Sequence, residues 1–437
     1  MITLPRLNQS LLLLLLFWMI FEGAFRRWFL PGLSNVLFLG KWVICLMLYF
    51  SYYFLSGRLK ISFRYPYQIF IFLYFTWSFL TIFLNEHPNP WDVYIIGLFV
   101  HLIYIPLIGI VPEYLDFNKF QKGIVWFSRI TLPLVILSMF QFYLPHDHIL
   151  NKFVNEEQLI TRTGLGFTRV TSVFTFVKLY NVYLLFYTTI ITAYLFYLIR
   201  NRMPYMFHLV VWALAIISTF MTGSRLSLFL TFFNIALIAF YVFTVYANMR
   251  YYVSIGLIIM PAVFIVLYNT TDIARNAVDS FMVRFQRAGA KYKTEEGAYI
   301  DVYNRSVDRL DFLKYATLTG LQGWGVGVAY QGNDKRLKSR FPQYYEEEGE
   351  RLSVDLGLIG ITIVVLMRIF IFFHSLNVWY ATRHPLLKII LYAMTIYQIP
   401  HVLLLSNTVY NYMDNFVYWF NFALILAMAK NAPTNEV

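Results

Sequence analysis

Thr222, Gly223, Ser224 and Arg225 form a TGSR run between two long apolar stretches that hold almost nothing else ionisable. Gly223 permits a tight turn, Thr222 or Ser224 can cap the helix that follows, and the start of that helix carries a positive partial charge. With the forked guanidinium of Arg225 they make an anion site, and at a membrane surface the natural anion is a phosphate or diphosphate. The plainer alternative is an arginine at a helix end that snorkels into water.

The same chemistry recurs downstream. Arg284 and Arg287 stand three apart in FMVRFQRAG. Between 301 and 318, Tyr303, Val307, Leu310 and Leu313 fall at helical spacing, which predicts an amphipathic helix with Arg305 and Arg309 on one face. Like charges at that spacing repel by a few tenths of a kcal/mol. Either Asp301 and Asp308 offset them in a solvated, salt-bridged face, or the pair faces a polyanionic ligand. GWGVG (323–327) is glycine-rich, but no predicted strand precedes it and it lacks the lysine and hydroxyl of a nucleotide loop, so alone it reads as a flexible turn. YYEEEGERLSVDLGLIG (344–360) brings Glu348, Glu350 and Arg351 to the start of a helix. Acidic residues there are partly ordinary capping. A carboxylate meeting a sugar hydroxyl at the same place is a general-base candidate.

These residues must be positioned by a membrane domain. Of 437 residues, 59% are hydrophobic and 13% charged, against roughly 25% charged in a soluble domain, and the mean hydropathy is +0.58. The apolar segments recur from end to end, so the chain reads as one all-helical membrane domain, 1–437, with 270–352 as a large extracytoplasmic loop. The first apolar run is followed by EGAFRRWFLPG, without a small-residue cleavage site, and reads as a retained helix. Cys45 is the sole cysteine and allows no intrachain disulfide.

At about 20 residues per span, about twelve transmembrane helices are expected, centred near 16, 45, 75, 101, 132, 185, 213, 236, 260, 365, 395 and 421. The one near 101 is interrupted by His101, Pro106 and Gly109. Lys and Arg collect in the connections 56–64, 200–203, 248–250 and 381–384, and are absent from 85–90 and 406–415. This places both termini in the cytoplasm, with 145–170, 270–352 and Arg225 on the outer side. The net charge of +12 is then partly topogenic, and nothing resembles a nucleic-acid module. No Asp-x-Asp or metal-spaced His/Glu motif is present. Charges inside apolar segments, Glu22, Lys41, Arg129, Lys178 and Arg368, are functional hints by default. Glu22 with Arg26 and Arg27 stands out, because the first outer connection could complete a diphosphate site.

The order of motifs resembles the O-antigen polymerase and O-antigen ligase superfamily of bacterial membrane enzymes. The matches are TGSR (222–225) opening a helix, a long outer loop with Arg305 ahead of Gly323, Gly325 and Gly327, and DLGLIG (355–360) leading into a helix. They cover about 205–375. FEGAFRRWFLPG (21–32) is similar to a subgroup from exopolysaccharide loci. The resemblance implies a GT-C-like helical core in the bacterial inner membrane with its active site facing the periplasm. It also implies inverting, metal-independent transfer of a glycan from an undecaprenyl diphosphate carrier to an acceptor hydroxyl, with no cofactor. Arg225 and Arg305 match the family's diphosphate-binding arginines. Thr222, Ser224, Arg284, Arg287, Arg309 and Arg351 are the accompanying substrate-binding candidates. The implied partners are the lipid-linked glycan, the bilayer, and chain-length regulator and flippase proteins. The family's ligases and many of its polymerases carry a His where this chain has Glu346, so a glutamate, Glu348 or Glu350, must serve as base. That departure favours a polymerase over a ligase. A flippase or transporter would instead need ionisable residues near the bilayer midplane and paired broken helices in two related halves. The sequence has no internal repeat and gathers its charge in an outer loop.

Overall fold

The computed structural model describes residues 4–57, 63–85, 88–152, 154, 165–290, 319–333, 337, 347–404 and 408–430. Arg305 and Arg309, with the amphipathic helix expected over 301–318, lie outside them. The described residues are helical and contain no strand. In chain order the helices are α1 (Leu4–Ala24), α2 (Ser34–Tyr49), α3 (Pro66–Leu84), α4 (Trp91–Leu102), α5 (Leu107–Tyr114), α6 (Phe117–Tyr143), α7 (Val177–Arg200) and α8 (Met206–Met221). They continue with α9 (Arg225–Val245), α10 (Arg250–Thr270), α11 (Asp272–Ala290), α12 (Glu348–Ala381), α13 (Pro385–Ile396), α14 (Ile399–Val402) and α15 (Tyr412–Lys430).

Each of the twelve expected centres falls on a helix. Seven spans among the described residues are long and apolar enough to cross a membrane, or eight if α4 and α5, bent by 41°, form one broken span. The chain is therefore a polytopic membrane protein. Among the other expected spans, α8 has 16 residues and α13 has 12, while α15 carries Asp414 in its first turn and Lys430 in its last. Lipid-facing positions are apolar and exposed, among them Leu13, Phe17, Phe83, Phe140 and Phe240. The enclosed helix is α7, with 83% of its apolar stretch buried, packed on α8, α9, α13 and α15. Around it α3 lies along α12, α5 along α15, and α1 along α2.

Up-and-down order brings alternate connections to opposite ends, and side-chain contacts agree. At one end Arg27, past α1, donates to the carbonyls of Leu150, Lys152, Ser172 and Phe174 and to the Thr171 hydroxyl, at 2.7–3.0 Å. Asn89 of the α3–α4 connection donates to the Trp324 carbonyl at 3.0 Å, and Asn85 reaches the same oxygen. At the other end Asn8 meets Tyr114 at 2.9 Å, and Lys430 pairs with Glu113. The segment read as an outer loop is not uniformly a loop. Its first part is α11, which carries positions 284 and 287 and packs on α8.

One helix is folded sharply. Gly357 (φ 65°, ψ −169°) splits α12. A straight helix would hold Glu348 and Arg368 about 30 Å apart, yet their side chains form a two-point ion pair at 2.9 and 3.0 Å. The segment before Gly357 thus turns back into the bundle. The corner is too tight for a side chain, since a Cβ on Gly357 would sit 2.4 Å from the Gly323 amide nitrogen.

Candidate functional site

The TGSR run forms the expected turn. Gly223 takes φ +64°, Thr222 is buried, and Ser224 stands at the N-cap position of α9 in extended conformation. The capping differs from expectation. The Thr222 hydroxyl donates back to the Thr219 carbonyl at 2.7 Å, and Ser224 Oγ meets Ser227 Oγ at 2.9 Å, so no side chain caps α9 from its N-cap position. Arg225 opens α9 and is half-buried.

A second guanidinium reaches this turn. Arg169 donates through Nε to the Thr222 carbonyl at 2.7 Å. The sequence reading missed it, because its only signal was a place in the 145–170 connection. Helix α11 closes on the same region: Phe281 packs edge-on against Phe220, ring centroids 5.8 Å apart, two residues before Thr222. The side chains of Arg284 and Arg287 lie outside the described residues.

The GWGVG segment is a packed turn, not a flexible one. Asp355, the first residue of DLGLIG, accepts from the Gly327 amide at 3.0 Å and the Ala329 amide at 2.7 Å. The same carboxylate meets His101 Nε2 at 2.9 Å and accepts from the Tyr410 hydroxyl at 2.9 Å. His101 Nδ1 meets the Tyr74 hydroxyl at 2.7 Å. Two motifs noted separately in the sequence are therefore one unit, stitched further by the Trp324 amide on the Val354 carbonyl at 2.7 Å.

Glu348 is not a free base. Both its oxygens hold Arg368, and one also accepts from the Val409 amide at 2.7 Å, with the carboxylate fully buried. Arg368 in turn donates to the His401 carbonyl at 2.9 Å, and His401 Nε2 meets Asp414 at 3.0 Å. Glu350 is half-buried and closes a capping box with Glu347. Arg351 is buried, its guanidinium 5.4 Å from the Tyr410 ring centroid. Lys178 stands in the first turn of α7, within electrostatic reach of Asp414, Arg351, Glu347 and Glu348.

The first connection does not complete an anion site. Glu22 is neutralised by Arg26 at 2.8 Å and Lys41 at 3.2 Å, Lys41 also lies 3.3 Å from the Phe38 ring centroid, and Arg27 is occupied by backbone carbonyls and Thr171. Among the described residues no three His, Cys, Asp or Glu side chains are grouped to hold a metal ion. Charge is also not confined to the outer connections, as the sequence reading had it. The His101–Asp355 and Glu348–Arg368 pairs lie inside the bundle, because 319–333 and the first segment of α12 fold inward. No protein-family profile matches this chain, and no curated protein is significantly similar to it.

Proposed function

We propose that this chain is a membrane glycosyltransferase that polymerises lipid-linked glycan. It moves a glycan from an undecaprenyl diphosphate carrier to the hydroxyl of a second lipid-linked repeat unit. In this reading the chain crosses the bacterial inner membrane twelve times as a GT-C-like core, with both termini cytoplasmic and the site outside. The observation that carries it is the convergence of the TGSR turn, its second arginine Arg169, and the Phe281 contact of α11 at one end of the bundle. Two guanidiniums beside the uncapped start of a helix suit a diphosphate.

The chemistry follows from those groups. The acceptor hydroxyl oxygen attacks the anomeric carbon, the bond to the diphosphate oxygen breaks, and the hydroxyl proton passes to a carboxylate. Arg225, Arg169 and Arg305 offset the charge that develops on the leaving diphosphate. Ser224, Arg284, Arg287, Arg309 and Arg351 supply the surrounding donors, whereas the Thr222 hydroxyl is spent on the Thr219 carbonyl. Glu350 is the better base, since proton transfer to Glu348 would break a buried ion pair. An O-antigen-type ligase would use the same donor half-reaction with a different acceptor. Incubating purified protein with a lipid-linked repeat unit tests the reading: longer lipid-linked products and one released undecaprenyl diphosphate per bond support it, and an unchanged substrate overturns it.

A second reading, a flippase or transporter for the same lipid-linked oligosaccharide, is favoured by the 41° break between α4 and α5 and by the buried His101–Asp355 and Glu348–Arg368 pairs. Broken helices and interior charge are what such carriers use. Repeat units that accumulate only in the inner leaflet of a deletion strain would select it.

A further inference from the structure

A cavity of about 790 Å³ opens at the end of the bundle opposite the TGSR turn. Val125 and Arg129 of α6 line one side, and residues 202–208, the α7–α8 connection with the first turn of α8, line the other. Its charges are Arg129 and Arg202, both exposed, and no Asp or Glu is in its walls. Arg129 rests 5.2 Å from the ring centroid of Trp126 and also acts electrostatically on His208. His208 is buried and held to Ser128 at 2.8 Å. Arg202 sits in the left-handed region at φ +54°, unusual for a residue with a side chain. Among the described residues no carboxylate pairs with either guanidinium.

The surroundings identify the ligand class. Met206, 61% exposed, and Phe207, also exposed, stand in the cavity wall, and Trp126, 60% exposed, lies against Arg129, so apolar and aromatic side chains adjoin the cations. Exposed tryptophan marks the level where headgroups meet hydrocarbon. Basic pockets between helices at that level bind lipid phosphate. The walls hold no carboxylate to offset the ammonium of a zwitterionic headgroup, while the two arginines favour net negative charge. We propose that this cavity binds the phosphate headgroup of an anionic phospholipid, with acyl chains over Met206 and Phe207, as a structural lipid remote from the glycan site.

The test is native mass spectrometry of the full-length protein in detergent, titrated with phosphatidylglycerol or phosphatidylcholine. Wild type should bind phosphatidylglycerol at least tenfold more tightly. Arg129→Gln/Arg202→Gln should abolish that preference, Arg129→Lys should retain part of it, and Arg383→Gln, a control cation at the same end, should retain all of it. Equal affinities for the two lipids in wild type, or an undiminished preference in a double variant of unchanged melting temperature, would overturn the proposal. Inorganic phosphate at millimolar concentration should leave the lipid bound. Displacement by phosphate alone would mean that the adjoining apolar side chains contribute nothing, and would overturn the lipid assignment.

Discussion

His101 and Asp355, 254 positions apart in the chain, meet at 2.9 Å with both side chains fully buried. Tyr74 lies ten residues before the end of α3 at Leu84, about 15 Å along its axis, so this cluster sits at mid-depth of the bundle. Asp355 clamps the 319–333 segment between α4 and α12 through the Gly327 and Ala329 amides and His101.

Replacing Asp355 by Asn puts an amide where the Gly327 and Ala329 amides and the Tyr410 hydroxyl donate, and should cost about 1–3 kcal/mol, the penalty of leaving a buried donor unsatisfied. His101→Gln should cost less, and the double variant should fall short of the sum by about 0.5–3 kcal/mol because the residues share one network. Thermal unfolding in detergent reads both numbers, and strict additivity would refute the coupling.

Glu348 and Arg368 can be treated as a unit. Glu348→Gln or Arg368→Met alone should destabilise by about 3–5 kcal/mol, and the double variant by much less than the sum, since neither partner is then left unpaired. The same double variant should keep measurable polymerisation. If polymer is lost in the double variant at unchanged stability, Glu348 is acting as the base after all.

Gly357→Ala should reduce the amount of folded protein in the membrane more than any surface alanine. The backbone conformation at Gly357, φ 65° with ψ −169°, is essentially confined to glycine and costs another residue about 1–3 kcal/mol, and here the added carbon also strikes the backbone of Gly323 and Leu321. Quantitative blotting of membranes checks this, with Gly32→Ala, which has open space around it, as the control.

Lys178→Gln is to be compared with wild type at matched amounts of folded protein, checked by thermal unfolding in detergent. It should raise KM for the lipid-linked donor several-fold, because it removes a cation near Arg351 from the end proposed to bind the diphosphate. Unchanged KM would remove Lys178 from the site.

The helices were legible in the sequence because runs of about 20 apolar residues leave no other option in lipid. The broken span was foreshadowed by His101, Pro106 and Gly109. What His101 does was not legible, since its partner lies 254 positions away and pairing at that range leaves no local pattern. The fold-back at Gly357 was hidden for a related reason: DLGLIG reads as the lead into a helix, and only its contact with Gly323 shows how sharply the chain turns there. TGSR was legible as a turn with an arginine because glycine and a following apolar run are local signals. Arg169 was not, and neither was the ion pair that occupies Glu348, which depends on how α12 bends.

The most direct measurement is glycan polymerisation in a deletion strain complemented with wild type or Arg225→Ala at matched membrane levels. With Arg225→Ala the account predicts loss of long chains, with single lipid-linked repeat units accumulating on the outer face of the membrane. Chains of wild-type length and amount from Arg225→Ala would contradict it.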